Sequence, residues 1–156
     1  MKRFKYKPSL YLENSVISMY FQTEIPNLRD MTRLFWQKIL PSFRVYISEV
    51  VLDEIRAIKD MSLRKEHEKL IRNFEVLELT EDILKIADTY LIYRKIPRGD
   101  ALHIAVASFY GINFLVTWNL RHIYKRSTQE IVREVNTWLK ISVPIIVTPE
   151  DFLKEE

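Results

Sequence analysis

The chain has 156 residues, with 24 lysines and arginines against 21 aspartates and glutamates, which gives a net charge of +3 when histidines are neutral. This length suits a single domain, which we expect to span residues 1–156, and a hydrophobic fraction of 47% excludes intrinsic disorder as the main state. Because the chain contains no cysteine, disulfides, thiolate zinc sites, iron–sulfur clusters and cysteine nucleophiles are excluded.

The apolar segments predict neither export nor membrane insertion. The N-terminal sequence MKRFKYKPSLYL is basic but lacks the continuous apolar stretch of a signal peptide. The longest apolar stretch, residues 101–116, is interrupted by polar residues and is shorter than the roughly 18 residues that a membrane span requires. We therefore expect a cytoplasmic protein that does not contact membranes.

Strands and helices alternate along the chain. Apolar and β-branched runs predict strands at 9–12, 43–47, 76–79, 114–117 and 143–147. Helical spacing of apolar residues predicts helices at 16–21, 27–39, 48–58, 63–74, 81–94, 100–110 and 128–139, with Asn27 as one N-cap and Gly111 as a terminator. This alternation predicts an α/β fold, a three-layer α/β/α sandwich with a mainly parallel sheet.

Two of the predicted strands end in polar side chains. Glu13, Asn14 and Ser15 follow the first strand, and Asn119 and His122 follow the strand at 114–117. Functional sites of open parallel sheets lie outside the carboxyl ends of the strands, so these residues are candidates. Each of them is also an ordinary turn or helix-capping residue, and Ser15 fits either role.

Two further acids lie beside apolar helix faces. Glu54 flanks the stripe formed by Val51 and Ile58, whereas Glu49 and Asp53 are predicted to point to solvent. Asp100 occupies the first turn of the helix at 100–110, which is apolar on every side and is therefore expected to be buried. The alternatives are a lysine-paired or solvated Glu54, and an Asp100 that only complements the helix dipole.

Clustered oxygen ligands without cysteine or paired histidines suit Mg²⁺ or Mn²⁺ rather than Zn²⁺. His103 and His122 are either acid–base groups or packed side chains, and His67, in a charged helix, is predicted to be solvated. Basic residues next to the acids favour a phosphate-bearing partner such as RNA, or form a solvated surface. The candidate contacts to RNA are Arg98, Arg121 and Lys125.

Four segments carry a family resemblance in the same order along the chain. They are YLENSVIS at 11–18, SEVVLDEI at 48–55, DALHIAVA at 100–107, and LVTWN at 115–119 followed by His122. Together they resemble the motifs of PIN-domain proteins, specifically the single-domain toxins of VapBC-type toxin–antitoxin pairs. The resemblance extends over nearly the whole chain.

The resemblance implies a PIN-like fold, a divalent cation and hydrolysis of RNA, typically leaving a 5′-phosphate. By motif, Glu13, Glu54 and Asp100 would bind Mg²⁺ or Mn²⁺, Asn119 would complete the catalytic set, and Asn14, Ser15 and His122 would support it. The resemblance also implies a small antitoxin as partner and a homodimer. Two departures from the motifs, Glu13 in place of aspartate and Asn119 in place of an acid, favour a second hypothesis, in which a catalytically weakened PIN module binds RNA or protein.

Overall fold

The computed structural model describes residues 6–154. The strands are β1 (Ser9–Leu12), β2 (Arg44–Ser48), β3 (Glu75–Leu77), β4 (Phe114–Val116) and β5 (Ile145–Val147). The α-helices are α1 (Asn14–Met19), α2 (Pro26–Lys38), α3 (Glu49–Arg56), α4 (Met61–Ile71), α5 (Glu81–Tyr93), α6 (Arg98–Phe109), α7 (Arg126–Leu139) and α8 (Pro149–Leu153). A short 3-10 turn covers Leu40–Ser42.

The strands form a parallel sheet in the order β3-β2-β1-β4-β5. The chain runs outward from β1 to β3 and crosses to β4 on the other side of β1, and β5 then pairs with β4 as the other edge strand. Helices flank this sheet, with α5 packed against α6 and α7, and α1 against α2, α3 and α4. The predicted α/β sandwich with a parallel sheet is confirmed. The reversal of strand order between β1 and β4 creates the kind of crevice in which such folds bind ligands.

Helix α6 lies inside the protein, as its apolar sequence predicts. Residues 103–108 are at most 1% exposed, and the helix ends before Gly111, whose φ of 66° falls in the left-handed region that glycine adopts without strain. Although α6 is apolar, it has only 12 residues, and within residues 6–154 no helix combines the length and apolar character needed to cross a membrane.

Several boundaries differ from prediction for local reasons. Helix α2 is not capped by Asn27. It starts at Pro26, which suits a first helical position because it has no N–H to satisfy. Helix α3 ends at Arg56, short of Ile58, and the next helix starts after Asp60, whose carboxylate accepts a hydrogen bond from the N–H of Leu63. Strand β5 begins only after Pro144, which cannot donate to a sheet ladder.

Two predictions of solvent exposure are wrong. His67 is 2% exposed; its Nδ1–H donates to the carbonyl of Leu63, and its ring lies 4.6 Å from that of Phe21 between centroids. Glu49 is half-buried because its Oε1 accepts the backbone N–H of Leu79 at 2.7 Å. In both cases the partner satisfies the polar group, a contact that the charged neighbours in sequence do not reveal. Asp53 is exposed, as predicted.

Candidate metal centre

Glu13 stands at the carboxyl end of β1, where the strand gives way to α1. It is only 5% exposed, so its carboxylate needs partners. Its Oε1 accepts the hydroxyl hydrogens of Ser15 at 2.5 Å and Thr117 at 2.6 Å, and its Oε2 accepts the N–H of Ser15 at 2.9 Å. Glu13 therefore caps α1 and also joins β1 to the end of β4, which fixes the carboxylate in the crevice.

The turn after β4 is fastened to the same carboxylate. The N–H of Trp118 donates to Ser15 Oγ at 2.8 Å, so Ser15 links this turn to Glu13. Asn119 Oδ1 accepts the N–H of His122 at 2.9 Å, which is the turn-capping role that the sequence left open. The Asn119 side chain also lies near enough to the Asp100 carboxyl group to lower its pKa. The turn after β4 thus approaches the first turn of α6 at Asn119.

Glu54 reaches the crevice from α3 and meets His103 on α6. His103 Nε2 lies 2.8 Å from Glu54 Oε1 and 4.0 Å from Glu13 Oε2. Ligand atoms of Glu13, Glu54 and His103 all lie within 4.8 Å of one another, close enough to share one metal ion. Burial lowers the pKa of His103, but the hydrogen bond with Glu54 and the nearby carboxylates outweigh burial, so the pKa lies above its usual value.

Asp100 lies in the first turn of α6, half-buried beside this group. Burial raises the pKa of its carboxyl group and the charge of Glu13 adds to the rise, whereas the hydrogen bond with Asn119 and the charges of His103 and His122 oppose it. Asp100 Oδ2 is buried without a hydrogen-bond partner. Such an oxygen is costly to bury unless a donor or a cation reaches it.

Asn14 presents a second unpartnered oxygen. Its Oδ1 is buried and makes no hydrogen bond, and the residue directly follows Glu13 in the chain. Asp100 Oδ2 and the Glu13 and Glu54 carboxylates give this edge of the sheet a set of oxygens that suits a hard divalent cation.

The structure therefore gathers most of the predicted side chains at one sheet edge. Glu13 and Glu54 lie in the same group, and Asp100 couples electrostatically to Glu13 but lies outside that group of three. The third member is His103, which the sequence left as either an acid–base group or a packed residue. Its position three residues after Asp100 on one helix, and so on the same face, is the signal that would have identified it.

The predicted RNA-binding residues differ in their surroundings. Arg98 is ion-paired with Asp88 at the surface, which engages its guanidinium. Arg121 and Lys125 are exposed. Lys125 also lines an open groove of about 400 Å³ at the start of α7, whose other walls are Tyr124, Arg126, Gln129, Glu130 and Arg133. The charged walls of this groove are predominantly basic.

Comparison with solved structures reveals similar folds. One is VapBC2 from Rickettsia felis bound to a DNA fragment from its promoter (TM-score 0.55, 14% identity, covering 89% of this chain and 97% of that chain). A toxin–antitoxin complex from Klebsiella pneumoniae has a TM-score of 0.54 and 16% identity, covering 72% and 88%. VapC20 of Mycobacterium tuberculosis, described as a sarcin–ricin loop cleaving toxin, has a TM-score of 0.60 and 17% identity, covering 72% and 92%. At these identities the likeness concerns the fold.

Two comparisons were made with the sequence. No curated protein matches the chain. The model of the PIN domain family matches residues 10–127, which extend from β1 past β4 and contain Glu13, Glu54, Asp100 and His103. The chain therefore belongs to the PIN-domain family.

Proposed function

We propose that this PIN-domain protein is a divalent-metal-dependent endoribonuclease, the VapC-type toxin of a toxin–antitoxin pair. The observation that carries the proposal is the convergence of the buried Glu13 and the half-buried Glu54 and Asp100 at the switch point between β1 and β4, with Asp100 Oδ2 left unpartnered. An arrangement that a cation would complete is costly in a protein that binds none.

Glu13, Glu54 and Asp100 are the residues proposed to hold Mg²⁺ or Mn²⁺. Their oxygens are ligands that these ions prefer, and the unpartnered oxygens of Asp100 and Asn14 are consistent with a bound cation or its waters. When bound, such a cation lowers the pKa of a water molecule and neutralises charge on a phosphodiester. The choice between Mg²⁺ and Mn²⁺ is made by cellular supply as much as by these ligands.

The other residues are proposed to position the acidic side chains or to attract RNA. The hydroxyls of Ser15 and Thr117 hold the Glu13 carboxylate in place, which lowers the reorganisation needed during the reaction. Asn119 holds the turn after β4 by accepting the N–H of His122. Exposed Lys125 is placed to attract the phosphate backbone of RNA, an interaction that weakens with added salt.

RNA is the proposed substrate because the groove at the start of α7 has mainly basic charged walls and a neighbour in fold is described as cleaving the sarcin–ricin loop. Two other neighbours are toxin–antitoxin assemblies. We therefore propose a small antitoxin as partner, together with a homodimer of the toxin and a cytoplasmic site of action.

The test is cleavage of total cellular RNA by the purified, antitoxin-free protein. We expect cutting with Mn²⁺, none in EDTA, and a loss of at least about 100-fold in the Asp100→Asn variant, the scale found when one preorganised electrostatic group is removed. Asp53→Asn is the matched control, because Asp53 is an exposed acid on α3 that pairs with Arg56 at the surface. Full activity of the Asp100→Asn variant would refute the assignment.

A second function, a non-catalytic module that binds RNA, is favoured by one specific feature. Both oxygens of Glu13 are already satisfied by protein donors, and Asn119 Oδ1 is engaged by His122, so part of the site is complete without a cation. In that case RNA binds equally well in EDTA, and Mn²⁺ neither binds in calorimetry nor raises the melting temperature. Cleavage that requires Mn²⁺ excludes this alternative.

A further inference from the structure

A chain of buried polar groups runs from the centre of the sheet to the acidic site. Tyr11 Oη lies 2.6 Å from Ser48 Oγ and 2.7 Å from His103 Nδ1, and His103 Nε2 lies 2.8 Å from Glu54 Oε1. Ser48, Tyr11 and His103 are all 0% exposed. This series of hydrogen bonds joins β2, β1, α6 and α3, and it ends at the Glu54 carboxylate.

The direction of hydrogen-bond donation in this series is fixed where it meets Glu54. Glu54 carries a carboxylate, which only accepts, so His103 Nε2 must carry the hydrogen that binds it. At the other end, the N–H of Val50 already donates to Ser48 Oγ. When Ser48 donates to Tyr11 and Tyr11 donates to His103 Nδ1, every hydrogen of the chain has an acceptor. The imidazole ring is thus held on both sides.

The Glu54 carboxylate has little freedom to turn away. One oxygen is bound by His103, and the other, Oε2, faces Gly99, where a Cβ would lie 3.4 Å from it. Glu54 is only partly buried, with 36% of its side chain exposed. An unrestrained glutamate at that exposure would sample several rotamers, so the contact with His103 decides where the carboxylate lies.

The hydroxyl group of Tyr11 is not required to fill the core. Its neighbours on β1, Leu10 and Leu12, are fully buried apolar side chains, and phenylalanine would fill nearly the same volume. What the hydroxyl adds is a fixed partner for His103. A buried polar group that serves packing poorly but aligns a site residue indicates a positioning role.

We propose that Tyr11 and His103, anchored by Ser48, are positioning residues that hold the Glu54 carboxylate in the orientation needed to bind the cation. This proposal rests on the proposed function and deepens it, because it identifies the residues that act through Glu54. Outer partners of metal-binding side chains typically change metal affinity or activity by about 10- to 100-fold when they are removed.

The first experiment compares Tyr11→Phe with Tyr90→Phe. Tyr90 is also a buried tyrosine, but its hydroxyl bonds Ser108 and Asn136 away from the acids. Tyr11→Phe is expected to weaken Mn²⁺ binding in calorimetry by about 10-fold and to lower kcat without changing the KM for RNA, with partial recovery at high Mn²⁺. Tyr90→Phe is expected to keep wild-type Mn²⁺ affinity and kcat.

The second comparison tests the donor itself. Glutamine at position 103 keeps an N–H near the place of Nε2, whereas leucine has no donor, so His103→Gln should retain more Mn²⁺ affinity than His103→Leu. In the His103→Leu background, Tyr11→Phe should have no further effect, because Tyr11 acts through the imidazole. Equal affinity in the two His103 variants, or wild-type Mn²⁺ affinity and kcat in Tyr11→Phe, would overturn the proposal.

The two proposals fail in different ways. Mn²⁺ binding by the wild-type protein without RNA cleavage removes the nuclease assignment, and the calorimetric comparison of Tyr11→Phe with Tyr90→Phe still decides the positioning role. Cleavage by the wild-type protein that is unchanged in Tyr11→Phe removes only the positioning role. A wild-type protein that binds no Mn²⁺ contradicts both.

Discussion

Replacing Tyr90 by phenylalanine is expected to destabilise the protein at neutral pH and to make its stability less sensitive to alkali. The Tyr90 hydroxyl donates to Asn136 Oδ1 at 2.6 Å and lies 3.0 Å from Ser108 Oγ, and Asn136 is 0% exposed. Phenylalanine leaves that buried carboxamide oxygen without its donor, which costs about 1–3 kcal/mol. For a domain of this size, each kcal/mol lowers the melting temperature by about 2–4 °C.

At alkaline pH, ionisation of Tyr90 destabilises the wild-type protein but not the Tyr90→Phe variant. Burial raises the pKa of Tyr90 from 10.0 to about 12. A raised pKa in the folded state means that stability is fully present below pH 10 and is lost as the pH rises towards 12, because the unfolded tyrosine ionises first. At pH 11 the pH is about one unit above the pKa of the unfolded tyrosine and still below that of the folded one. The wild-type protein has therefore lost about 1.4 kcal/mol of unfolding free energy that the variant does not lose.

The assay is urea unfolding of both proteins at pH 8 and pH 11. We expect the gap in unfolding free energy between wild type and Tyr90→Phe to narrow by about 1.4 kcal/mol over this interval. Tyr11, whose pKa is also raised by burial, contributes equally to both proteins and cancels in the comparison. A gap that stays constant between the two pH values would refute the reasoning about Tyr90.

Three further predictions concern the site and its surroundings. In EDTA at neutral pH, Asp100→Asn should have a higher melting temperature than the wild type, since burial raises the pKa of Asp100 and its Oδ2 has no partner. This difference in melting temperature should shrink when the pH falls below the usual pKa range of aspartate, where both the folded and the unfolded wild type are protonated. A lower melting temperature of the variant at neutral pH would contradict the prediction. Thr32→Val should cost about 1–3 kcal/mol in urea unfolding because it leaves the Trp118 indole N–H, now 2.8 Å from Thr32 Oγ1, unpaired. Lys125→Ala should weaken RNA binding and reduce the slope of log affinity against log salt by about 0.7, and an unchanged slope would remove Lys125 from the interface.

The sequence predicts the sheet well because its evidence is local. Apolar strand runs followed by polar residues located Glu13 and Asn119 at the correct edge, and helical spacing placed Glu54 beside the buried stripe of α3. These inferences need only the period of a strand or helix and the rule that parallel strands end together. The alternation of strands and helices predicts the fold class but not the order of the strands in the sheet.

Partners distant in the chain could not be predicted in this way. Tyr11 is part of an apolar strand run and His103 part of an apolar helix, and their hydrogen bond joins positions 92 residues apart. The same is true of the Glu13–Thr117 contact, which spans 104 residues. Single-sequence patterns describe which face a residue occupies, whereas these contacts depend on how β1, β4 and α6 pack together.

The most direct test of the metal centre is a crystal grown with Mn²⁺ and examined for anomalous scattering at the manganese edge. The account predicts a peak in the crevice between β1 and β4, coordinated by carboxylate oxygens of Glu13, Glu54 or Asp100, and no such peak in Asp100→Asn grown at the same Mn²⁺ concentration. A wild-type crystal with no peak at this edge of the sheet, or with Mn²⁺ bound only elsewhere, would contradict it.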